Sequence, residues 1–330
     1  MHRLQTHWQR LTIVSIALLP LSLLFALVAW LRRACYRSGV LSPIRLAVPV
    51  VVVGNITAGG TGKTPVVIWL AQSLGAMGYK PGIISRGYGG DGTQAAVNTD
   101  TPPQQAGDEP VLISNLTGCP VWVGRDRPAA ARALLAENPQ VDVIISDDGL
   151  QHYRLARDCE IAVINARQKF GNGLLLPAGP LRETKSRLKE VDAVIINGEM
   201  QPELPETGFE MALEGEQFQN LADAGRLAGA GDFMHSRVHA VAGIGDPERF
   251  FEHLRSLGLS FETHAFADHH AFSASDLEFA DCDVVLMTQK DAIKCAAFAR
   301  DTWWSLPVQA RIDSALLDTV KRKIGSVRGR

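Results

Sequence analysis

The sequence predicts an α/β protein that has a parallel sheet with helices on both faces, a smaller C-terminal α/β domain and an N-terminal membrane helix. Three observations predict this architecture. Short runs rich in valine and isoleucine alternate with helical patterns, as in parallel sheets that are buried on both sides. A glycine-rich segment follows the first of these runs, and a long uncharged stretch precedes it.

We expect the chain to have three parts. Residues 1–34 form the membrane-associated helix, residues 35–225 the core domain and residues 226–330 the smaller domain, whose last helix is free to pack back on the core. With 330 residues, 46% of them hydrophobic, the chain is long enough to bury two cores. The polar and acidic stretch 201–231 is interpreted as the connection between the two domains, with short strands at most.

The elements follow from the same patterns. The predicted core strands are Val48–Val53, Pro81–Ser85, Val141–Ser146, Ile161–Asn165 and Ala193–Asn197, and the helical patterns among them include Pro65–Met77 and Pro128–Glu137. In the smaller domain, we predict strands at Val238–Ile244 and Val284–Thr288 and a helix at Pro247–Leu257. Ligands of such sheets collect at the carboxyl ends of the strands, where the motifs described below fall.

The uncharged stretch Leu11–Leu31 is long enough, as a helix, to cross a hydrocarbon core of about 30 Å. Pro20 near its middle allows either a kinked spanning helix or a helix that lies in the membrane interface. A cleaved signal peptide is disfavoured, because the arginine-rich residues after Leu31 make a poor cleavage site. More arginines follow the stretch than precede it, so the positive-inside rule predicts a cytoplasmic body.

The charge of the chain is unevenly distributed. No Asp or Glu precedes Asp91, whereas nine Lys and Arg residues do. Because the net charge is −2, the residues from Asp91 onward carry −11. A basic first quarter favours contact with anionic lipids and with phosphate. No motif supports nucleic-acid binding, and no protein partner is inferred.

The segment Gly54–Pro65 predicts a phosphate-binding loop between a strand and a helix. Its glycines let backbone N–H groups surround phosphate oxygens, Lys63 supplies a positive charge, and the Thr64 hydroxyl is placed to bind Mg²⁺. The core is therefore predicted to be of the P-loop NTPase type. The nucleotide-binding candidates are Asn55, Thr57, Ala58, Gly59, Gly60, Thr61, Gly62, Lys63 and Thr64.

This loop is a variant of the standard pattern. The standard pattern has glycine where this chain has Thr57, and the tight turn falls instead at Gly59 and Gly60. The alternative is a glycine-rich turn that binds nothing. That alternative is disfavoured, because Lys63 and Thr64 occupy the required places after a buried strand.

Acidic residues supply the other parts of a phosphoryl-transfer site. Asp147 and Asp148 follow a buried strand, where carboxylates are costly unless a cation such as nucleotide-bound Mg²⁺ meets them. Asp108 reads by itself as an ordinary helix start, and Asp268 with His269 is a weak signal by itself. Together with the phosphate loop, these residues amount to a phosphate clamp, metal ligands and a base with an orienting partner.

The motifs occur in an order that closely resembles the tetraacyldisaccharide 4′-kinases, the lipid A 4′-kinases of Gram-negative bacteria. The resemblance covers essentially the whole chain. After the hydrophobic N-terminal stretch come G-N-x-x-x-G-G-x-G-K-T-P (54–65), S-R-G-Y-G (85–89), G-D-E-P (107–110), D-D-G-L-Q-H (147–152), P-L-R-E (180–183), D-H-H-x-F (268–272) and T-Q-K-D (288–291).

The resemblance implies an activity and a location. The γ-phosphoryl group of ATP, with Mg²⁺ as cofactor, would pass to the 4′-hydroxyl of tetraacyldisaccharide 1-phosphate and give the lipid IV-A stage of lipopolysaccharide assembly. The acceptor is a membrane lipid, so the resemblance implies an inner-membrane enzyme whose catalytic body lies on the cytoplasmic side. Anionic lipids of the inner leaflet would then attract the basic first quarter.

The resemblance also implies roles for individual residues. Asp108 would be the general base, with His269 paired to it and Asp268 in support, and Lys63 would stabilise the transferred group. The metal ligands would come from Thr64, Asp147, Asp148 and Glu183. The remaining supporting residues would be Gln151, which orders the phosphates or the metal shell, and Arg182, a partner for the acceptor or the metal at the domain cleft. Arg86 and Tyr88 would contact the acceptor head group.

Two other functions are weighed against this one. One is a membrane-attached P-loop NTPase switch that hydrolyses NTP to control partner binding; the other is a soluble small-molecule kinase whose N-terminal helix only mediates oligomerisation. A switch does not require a second α/β domain or the Asp108 and His269 candidates. The T-Q-K-D motif resembles a guanine-reading motif, but its Lys290 lies one place too late, so no GTP preference is inferred.

Overall fold

The computed structural model describes residues 7–328, which form fifteen strands and nine α-helices. The strands are β1 (Val50–Gly54), β2 (Pro81–Ser85), β3 (Ala95–Val97), β4 (Val121–Val123), β5 (Val143–Asp147), β6 (Cys159–Asn165), β7 (Ala193–Asn197), β8 (Phe209–Glu214), β9 (Phe218–Asn220), β10 (Leu227–Ala228), β11 (Val238–Ala242), β12 (Glu262–Ala265), β13 (Val284–Thr288), β14 (Trp303–Leu306) and β15 (Gln309–Ile312). The helices are α1 (Ile13–Ala17), α2 (Leu19–Arg37), α3 (Lys63–Ala76), α4 (Pro103–Ala106), α5 (Asp108–Thr117), α6 (Arg127–Glu137), α7 (Pro247–Ser256), α8 (Gln289–Cys295) and α9 (Ala315–Arg328).

The first sheet has nine strands in the order β15-β8-β7-β6-β1-β5-β2-β4-β3. The seven inner strands are parallel, and β15 and β3 pair antiparallel at the two edges. In the register, Val53 of β1 lies beside Asp147 of β5, and Gly54 lies beside Ala162 of β6. The ends of β1, β5 and β6 therefore meet at one edge, where the phosphate loop begins.

Both faces of the first sheet are covered, because side chains alternate along each strand. Val51 and Val53 pack with α3, α5 and α9 on one face, whereas Val50 and Val52 pack with α6 and the 150–190 loops on the other. Leu70 of α3 has no exposed surface, and burying a side chain of this size stabilises the fold by about 2 kcal/mol. The predicted class, a parallel sheet with helices on both faces, is confirmed.

A second, smaller sheet has six strands in the order β10-β9-β14-β13-β11-β12. Its strands β14, β13, β11 and β12 are parallel, and β9 and β10 are antiparallel additions at one edge. Phe250, Phe251 and Leu254 of α7 pack on one face, and Cys295 of α8 packs on the other. This sheet is the core of the smaller α/β domain.

The chain crosses between the two sheets more than once, whereas a single boundary between residues 225 and 226 was expected. The stretch 201–231 is built into both sheets, because it contributes β8 to the first and β9 and β10 to the second. Acidic residues are compatible with a strand here, because side chains alternate between the two faces: in β8, Met211 is buried and Glu210 is exposed. After β14, the chain returns to the first sheet as β15 and α9, and Leu316, Val320 and Ile324 of α9 join its core.

The N-terminal segment differs from the single helix predicted over Leu11–Leu31. The helix breaks at Leu18, and Pro20 lies in the first turn of α2, where a missing N–H costs nothing. Helix α2 then continues to Arg37, beyond the predicted end. Residues 1–6 of the predicted membrane segment lie outside the described residues.

Helix α2 is attached to the body by few contacts. Within α2, the Ser22 hydroxyl donates to the carbonyl of Leu175 at 2.8 Å, and Arg33 forms an ion pair with Glu190. Ahead of α1, the Trp8 indole donates to the carbonyl of Pro177 at 3.1 Å. By length and composition, α2 is the one helix within residues 7–328 that is able to cross a membrane. Only 6% of its apolar stretch is buried inside the protein. Its exposed large residues are Leu21, Leu23, Leu24, Leu27, Val28, Trp30 and Leu31.

Candidate active site

A large cavity opens at the carboxyl ends of the first-sheet strands. Its volume is about 2010 Å³. The phosphate loop and the end of β5 form its floor, residues of the second sheet line one side, and α2 lines another with Phe25, Val28 and Trp30. Such a position, at the carboxyl ends of parallel strands, is where ligands of this sheet type bind.

The phosphate loop turns sharply into α3. Gly62 has φ +89°, and no side chain caps the helix that starts at Lys63, so the first N–H groups of α3 are available to an anion. A Cβ on Gly62 would overlap the amide of Asn197, which donates to the carbonyl of Thr61 at 3.0 Å. The Asn165 amide approaches the carbonyl of Gly60 at 3.4 Å. Polar residues at the ends of β6 and β7 thus hold the loop from behind.

The start of the loop is joined to the segment that carries Arg182 and Glu183. Ala58 donates its N–H to the carbonyl of Pro180 at 2.7 Å, and Thr57 forms a bridge with Leu181. The Arg182 N–H in turn donates to the carbonyl of Ile56 at 2.7 Å. Two distant sequence motifs are therefore combined into one structure.

The Asn55 side chain is buried, and its amide has no hydrogen-bond partner among the described residues. The neighbouring phosphate-loop residues differ in exposure: Thr57 is buried away from the cavity, Thr61 is buried but lines it, and Gly59, Gly60 and Thr64 line it with more exposed surface.

Two cations meet Asp148. Lys63 Nζ is 3.5 Å from its Oδ1, and Arg182 Nη1 donates to both carboxylate oxygens at 3.2 Å. Burial raises the pKa of Asp148, but the charges of Lys63 and Arg182 outweigh burial, and the pKa is well below its usual range. Asp148 is therefore ionised beside the phosphate loop.

Asp147 is completely enclosed at the end of β5. The Ser85 hydroxyl donates to its Oδ2 at 3.0 Å, and Arg127 donates to its backbone carbonyl at 2.8 Å. Its Oδ1 is buried without a hydrogen-bond partner among residues 7–328. Burial, followed by the charge of Glu109, raises the pKa of Asp147 to about 6. Burial also lowers the pKa of Arg127 to about 10, which leaves it charged at neutral pH.

Glu183, which was predicted as a metal ligand, has hydrogen-bond partners at both carboxylate oxygens. Its Oε1 accepts from Gln151 Nε2 at 2.6 Å, and its Oε2 accepts from the Tyr153 hydroxyl at 2.7 Å. Arg187 Nε lies 3.4 Å from the same Oε2. With both oxygens engaged, Glu183 orients Gln151, which also donates to the carbonyl of Asn55 at 3.1 Å. These contacts give no support to a metal role for Glu183.

Asp108 and His269 come together from different sheets. Asp108 begins α5 on the first sheet, and His269 follows β12 on the second. His269 Nδ1 is 3.0 Å from each carboxylate oxygen of Asp108. Its ring lies 5.0 Å from the ring of Tyr88, and its Nε2 is 3.8 Å from Asp268. His269 has φ +60°, a conformation that few residues other than glycine adopt.

The Asp108–His269 pair is arranged so that each residue favours the charged form of the other. Burial raises the pKa of Asp108, but the hydrogen bond with His269 and the charge of Lys290 outweigh burial, and the pKa is below its usual value. Burial lowers the pKa of His269, but the hydrogen bond with Asp108 and other charges raise it above its usual value. Both shifts favour the charged forms, so Asp108 is the proton acceptor of the pair.

The other predicted acceptor-side residues lie around the same cavity. Arg86 is exposed at the end of β2 and lines the cavity with Tyr88. The structure therefore brings the candidates from the phosphate loop, β2, β5 and the second sheet to one place.

The sequence analysis missed several residues of this site. Gly245 lies so close to the phosphate loop that a Cβ there would be 2.8 Å from the Gly60 nitrogen. Arg249 of α7 donates to the Asn197 side chain. Lys290, noted only as part of a motif, lies beside Asp108. The sequence offered no signal for Gly245 or Arg249. A polar residue at the end of a predicted strand is a signal for a site residue, and this rule would have found only Asn165 and Asn197.

A second cluster of ligand-type side chains lies away from the cavity. His239, Glu262 and His264 have nitrogen and oxygen atoms within 4.8 Å of one another. The two imidazoles hydrogen-bond to each other at 2.9 Å and stack against Phe279. Each imidazole thus already has a packing and hydrogen-bonding role.

Comparison with known proteins places the chain among one family of enzymes. The family model described as LpxK, tetraacyldisaccharide-1-P 4′-kinase, matches residues 14–325. A tetraacyldisaccharide 4′-kinase of Methylobacillus flagellatus is 49% identical over 322 residues, which cover 97% of this chain and 95% of the relative. One from Azoarcus sp. is 51% identical over 323 residues, covering 97% and 94%.

A solved structure is also similar. The crystal structure of LpxK from Aquifex aeolicus in complex with ATP aligns with a TM-score of 0.79 at 28% identity, covering 94% of this chain and all of that one. The similarity thus covers nearly the whole chain. The chain therefore belongs to the tetraacyldisaccharide 4′-kinase family.

Proposed function

We propose that this protein transfers the γ-phosphoryl group of ATP to the 4′-hydroxyl of tetraacyldisaccharide 1-phosphate, which forms lipid IV-A in lipid A biosynthesis. One observation carries the proposal: three features line a single cavity. They are the phosphate loop, the His269 ring that is paired with Asp108, and the exposed apolar helix α2. A nucleotide switch requires only the first of these features. Membership of the kinase family favours the same conclusion.

Lys63 and the start of α3 bind the phosphates. The Lys63 side chain is 13% exposed and faces Asp148 at 3.5 Å, so it is already positioned and only partly solvated. Phosphoryl transfer passes through a loose transition state, in which positioning and charge neutralisation contribute most of the catalysis. Removing one preorganised donor of this kind lowers kcat by roughly 10²- to 10³-fold.

The oxygen donors at the end of β5 suit Mg²⁺. Thr64, Asp147 and Asp148 offer hydroxyl and carboxylate oxygens, the ligands that this ion prefers, and Asp147 Oδ1 is buried without a hydrogen-bond partner among the described residues. These three residues would hold Mg²⁺ directly or through water. When bound, the ion supplies charge neutralisation at the phosphates.

Asp108 removes the proton of the acceptor hydroxyl. The pKa of Asp108 is lowered and that of His269 is raised, so both shifts favour a carboxylate that accepts protons beside an imidazole that donates to it. His269 holds the carboxylate in place through Nδ1, and Tyr88 packs against the imidazole. General base catalysis of this kind contributes about 10²- to 10⁴-fold.

The acceptor reaches the cavity from the membrane. Its acyl chains cannot leave the bilayer, so the catalytic body must lie at the membrane surface, which we assign to the cytoplasmic side of the inner membrane. The exposed apolar residues of α2 border the cavity, and the basic first quarter favours anionic lipids. Arg86 and Tyr88 are placed to contact the phosphorylated head group.

The experiment is transfer of labelled γ-phosphate from Mg²⁺-ATP to tetraacyldisaccharide 1-phosphate in detergent micelles, with Lys63→Ala alongside. We expect the wild type to form the 4′-phosphorylated lipid and the variant to lose this activity while remaining folded by circular dichroism. ATP turnover without a phosphorylated lipid would overturn the proposal in favour of the switch.

A further inference from the structure

The T-Q-K-D motif forms a rigid turn at the end of β13. The Thr288 hydroxyl donates to Asp291 Oδ2 at 2.6 Å and accepts from the Asp291 N–H at 3.1 Å. The same Oδ2 accepts from the Gly243 N–H at 2.9 Å, and Lys294 Nζ lies 2.6 Å from Oδ1. Asp291 therefore fixes the start of α8 on the second sheet, and with it the direction of the Lys290 side chain.

Lys290 extends from this turn to the first sheet. Its Nζ is 3.0 Å from Glu109 Oε1, 3.3 Å from Asp268 Oδ1 and 3.8 Å from Asp108 Oδ2. Its side chain is only 15% exposed. Burial lowers the pKa of a lysine, but the three carboxylates outweigh this effect, and the pKa of Lys290 is raised. One ammonium thus joins α5 of the first sheet to two segments of the second.

The surroundings of Asp108 are strongly acidic without Lys290. The groups that face it or its neighbours are Glu109 on α5, Asp147 on β5, Asp268 and His269 after β12, and Lys290 and Lys294 on α8. Carboxylates this close repel one another unless a cation lies among them. Lys294 is already paired with Asp291, so the cation between the carboxylates is Lys290.

We propose that Lys290 is a positioning residue for phosphoryl transfer: its ammonium joins Asp108, Glu109 and Asp268 and thereby holds the Asp108–His269 pair together across the two sheets. This inference rests on the proposed function, because Asp108 matters to the rate only if a hydroxyl is deprotonated. In this proposal, Lys290 acts through Asp108, whose carboxylate it approaches at 3.8 Å. Its position explains why the motif is present in a protein that does not need a guanine-reading loop.

The test compares Lys290→Met, Lys290→Arg and a matched control, Lys321→Met. Lys321 is also paired with a carboxylate, at 3.6 Å from Asp318, but it lies on α9 away from the cavity. We would measure kcat, the KM for ATP and the pH profile of lipid phosphorylation. The titration of the His269 imidazole, followed by NMR, provides a readout that needs no activity.

For Lys290→Met, we expect kcat to fall by about 30-fold with the KM for ATP within about twofold of the wild type. The acidic limb of the pH profile should move upward by about one unit, because the carboxylate loses a neighbouring cation. The pKa of His269 should rise for the same reason. Lys290→Arg should restore most of kcat, and Lys321→Met should resemble the wild type.

Two results would overturn the inference. One is a kcat for Lys290→Met close to that of the wild type; the other is a loss that matches the unfolded fraction, with unchanged pH profile and His269 titration. Failure of the proposed function gives a different pattern, in which the wild type itself makes no phosphorylated lipid. The His269 titration would then still decide whether Lys290 controls the charge of the pair.

Discussion

His269 Nδ1 lies 3.0 Å from both carboxylate oxygens of Asp108, and the two residues belong to different sheets. The pair therefore exists only when the second sheet is packed over the first. Gly245, whose backbone touches the phosphate loop at Gly60, comes from the same side. Phosphate binding and the base are thus assembled by one contact between the two sheets.

Asp108→Asn should lower kcat by roughly 10²- to 10⁴-fold, because the amide cannot accept the hydroxyl proton. Binding of ATP should change little, since the phosphate loop is intact; a filter or calorimetric binding assay checks this. Unchanged turnover in a folded Asp108→Asn protein would remove the base from our mechanism.

The pH dependence follows from the same pair. The pKa of Asp108 lies below its usual value, so activity should persist at neutral pH and fall as the pH decreases through that pKa. His269→Ala removes the hydrogen bond that helps to lower the pKa, so the acidic limb should move to higher pH in this variant. A pH–rate profile with an unmoved acidic limb would contradict this coupling.

Gly107→Ala should displace the start of α5. Gly107 has φ +90° and ψ 153°, a region that is essentially restricted to glycine, and a Cβ there would overlap the carbonyl oxygen of Tyr88. We expect a loss of about 3 kcal/mol in the free energy of unfolding, together with most of the activity, because Asp108 is the next residue.

Gly118→Ala is the matched control at the other end of α5. Gly118 also has positive φ, at +62°, but a Cβ there meets nothing within 4 Å. Gly118→Ala should therefore lower the free energy of unfolding only by the strain of alanine in the left-handed conformation, about 1 kcal/mol, and activity should be retained. Denaturant titrations of the two variants measure the difference, and equal effects would argue against the Tyr88 overlap.

Asp147→Asn should stabilise the metal-free protein at alkaline pH while abolishing transfer. The pKa of Asp147 is raised to about 6 from an ordinary 3.8, so its contribution to stability decreases as the pH rises from about 4 to 6 and stays low above that. The substitution should therefore raise the free energy of unfolding by on the order of 1 kcal/mol at pH 8 and leave it unchanged at pH 4.

Melting temperatures in chelator at the two pH values test this prediction. Ser85→Ala is a useful companion, because it removes the hydroxyl that donates to Asp147 and leaves the carboxylate in place. A melting temperature of Asp147→Asn that is raised equally at both pH values would show that ionisation is not the cause.

Serine substitutions in α2 should weaken attachment to membranes. Leu24 and Leu27 are more than half exposed, at 58% and 57%, and each contributes about 1.5 to 3 kcal/mol when its side chain moves from water into an apolar environment. The Leu24→Ser/Leu27→Ser double variant should sediment less with anionic vesicles. Its fold should be unchanged, because neither side chain packs in the protein core, and equal sedimentation would contradict the role of α2.

Elements that depend on local chemistry were predictable from the sequence alone. Strands such as β2 and β7 were predicted with their observed bounds, because buried parallel strands are continuous apolar runs. The phosphate loop was predictable as well, because it depends on residues that are consecutive in the sequence: glycines with a free backbone conformation and the adjacent Lys63. The family resemblance was available because these motifs keep one order along the chain.

The tertiary structure decided what depends on contacts between distant residues. It built 201–231 into both sheets, because a strand in which exposed acidic residues alternate with buried ones, such as β8, resembles a linker in sequence. It engaged Glu183 with Gln151 and Tyr153, and it placed Lys290 among three carboxylates. From the sequence alone, a charged residue is expected to lie in solvent. Packing in the folded protein removes its water and supplies its partners, and these partners set its protonation state and its role.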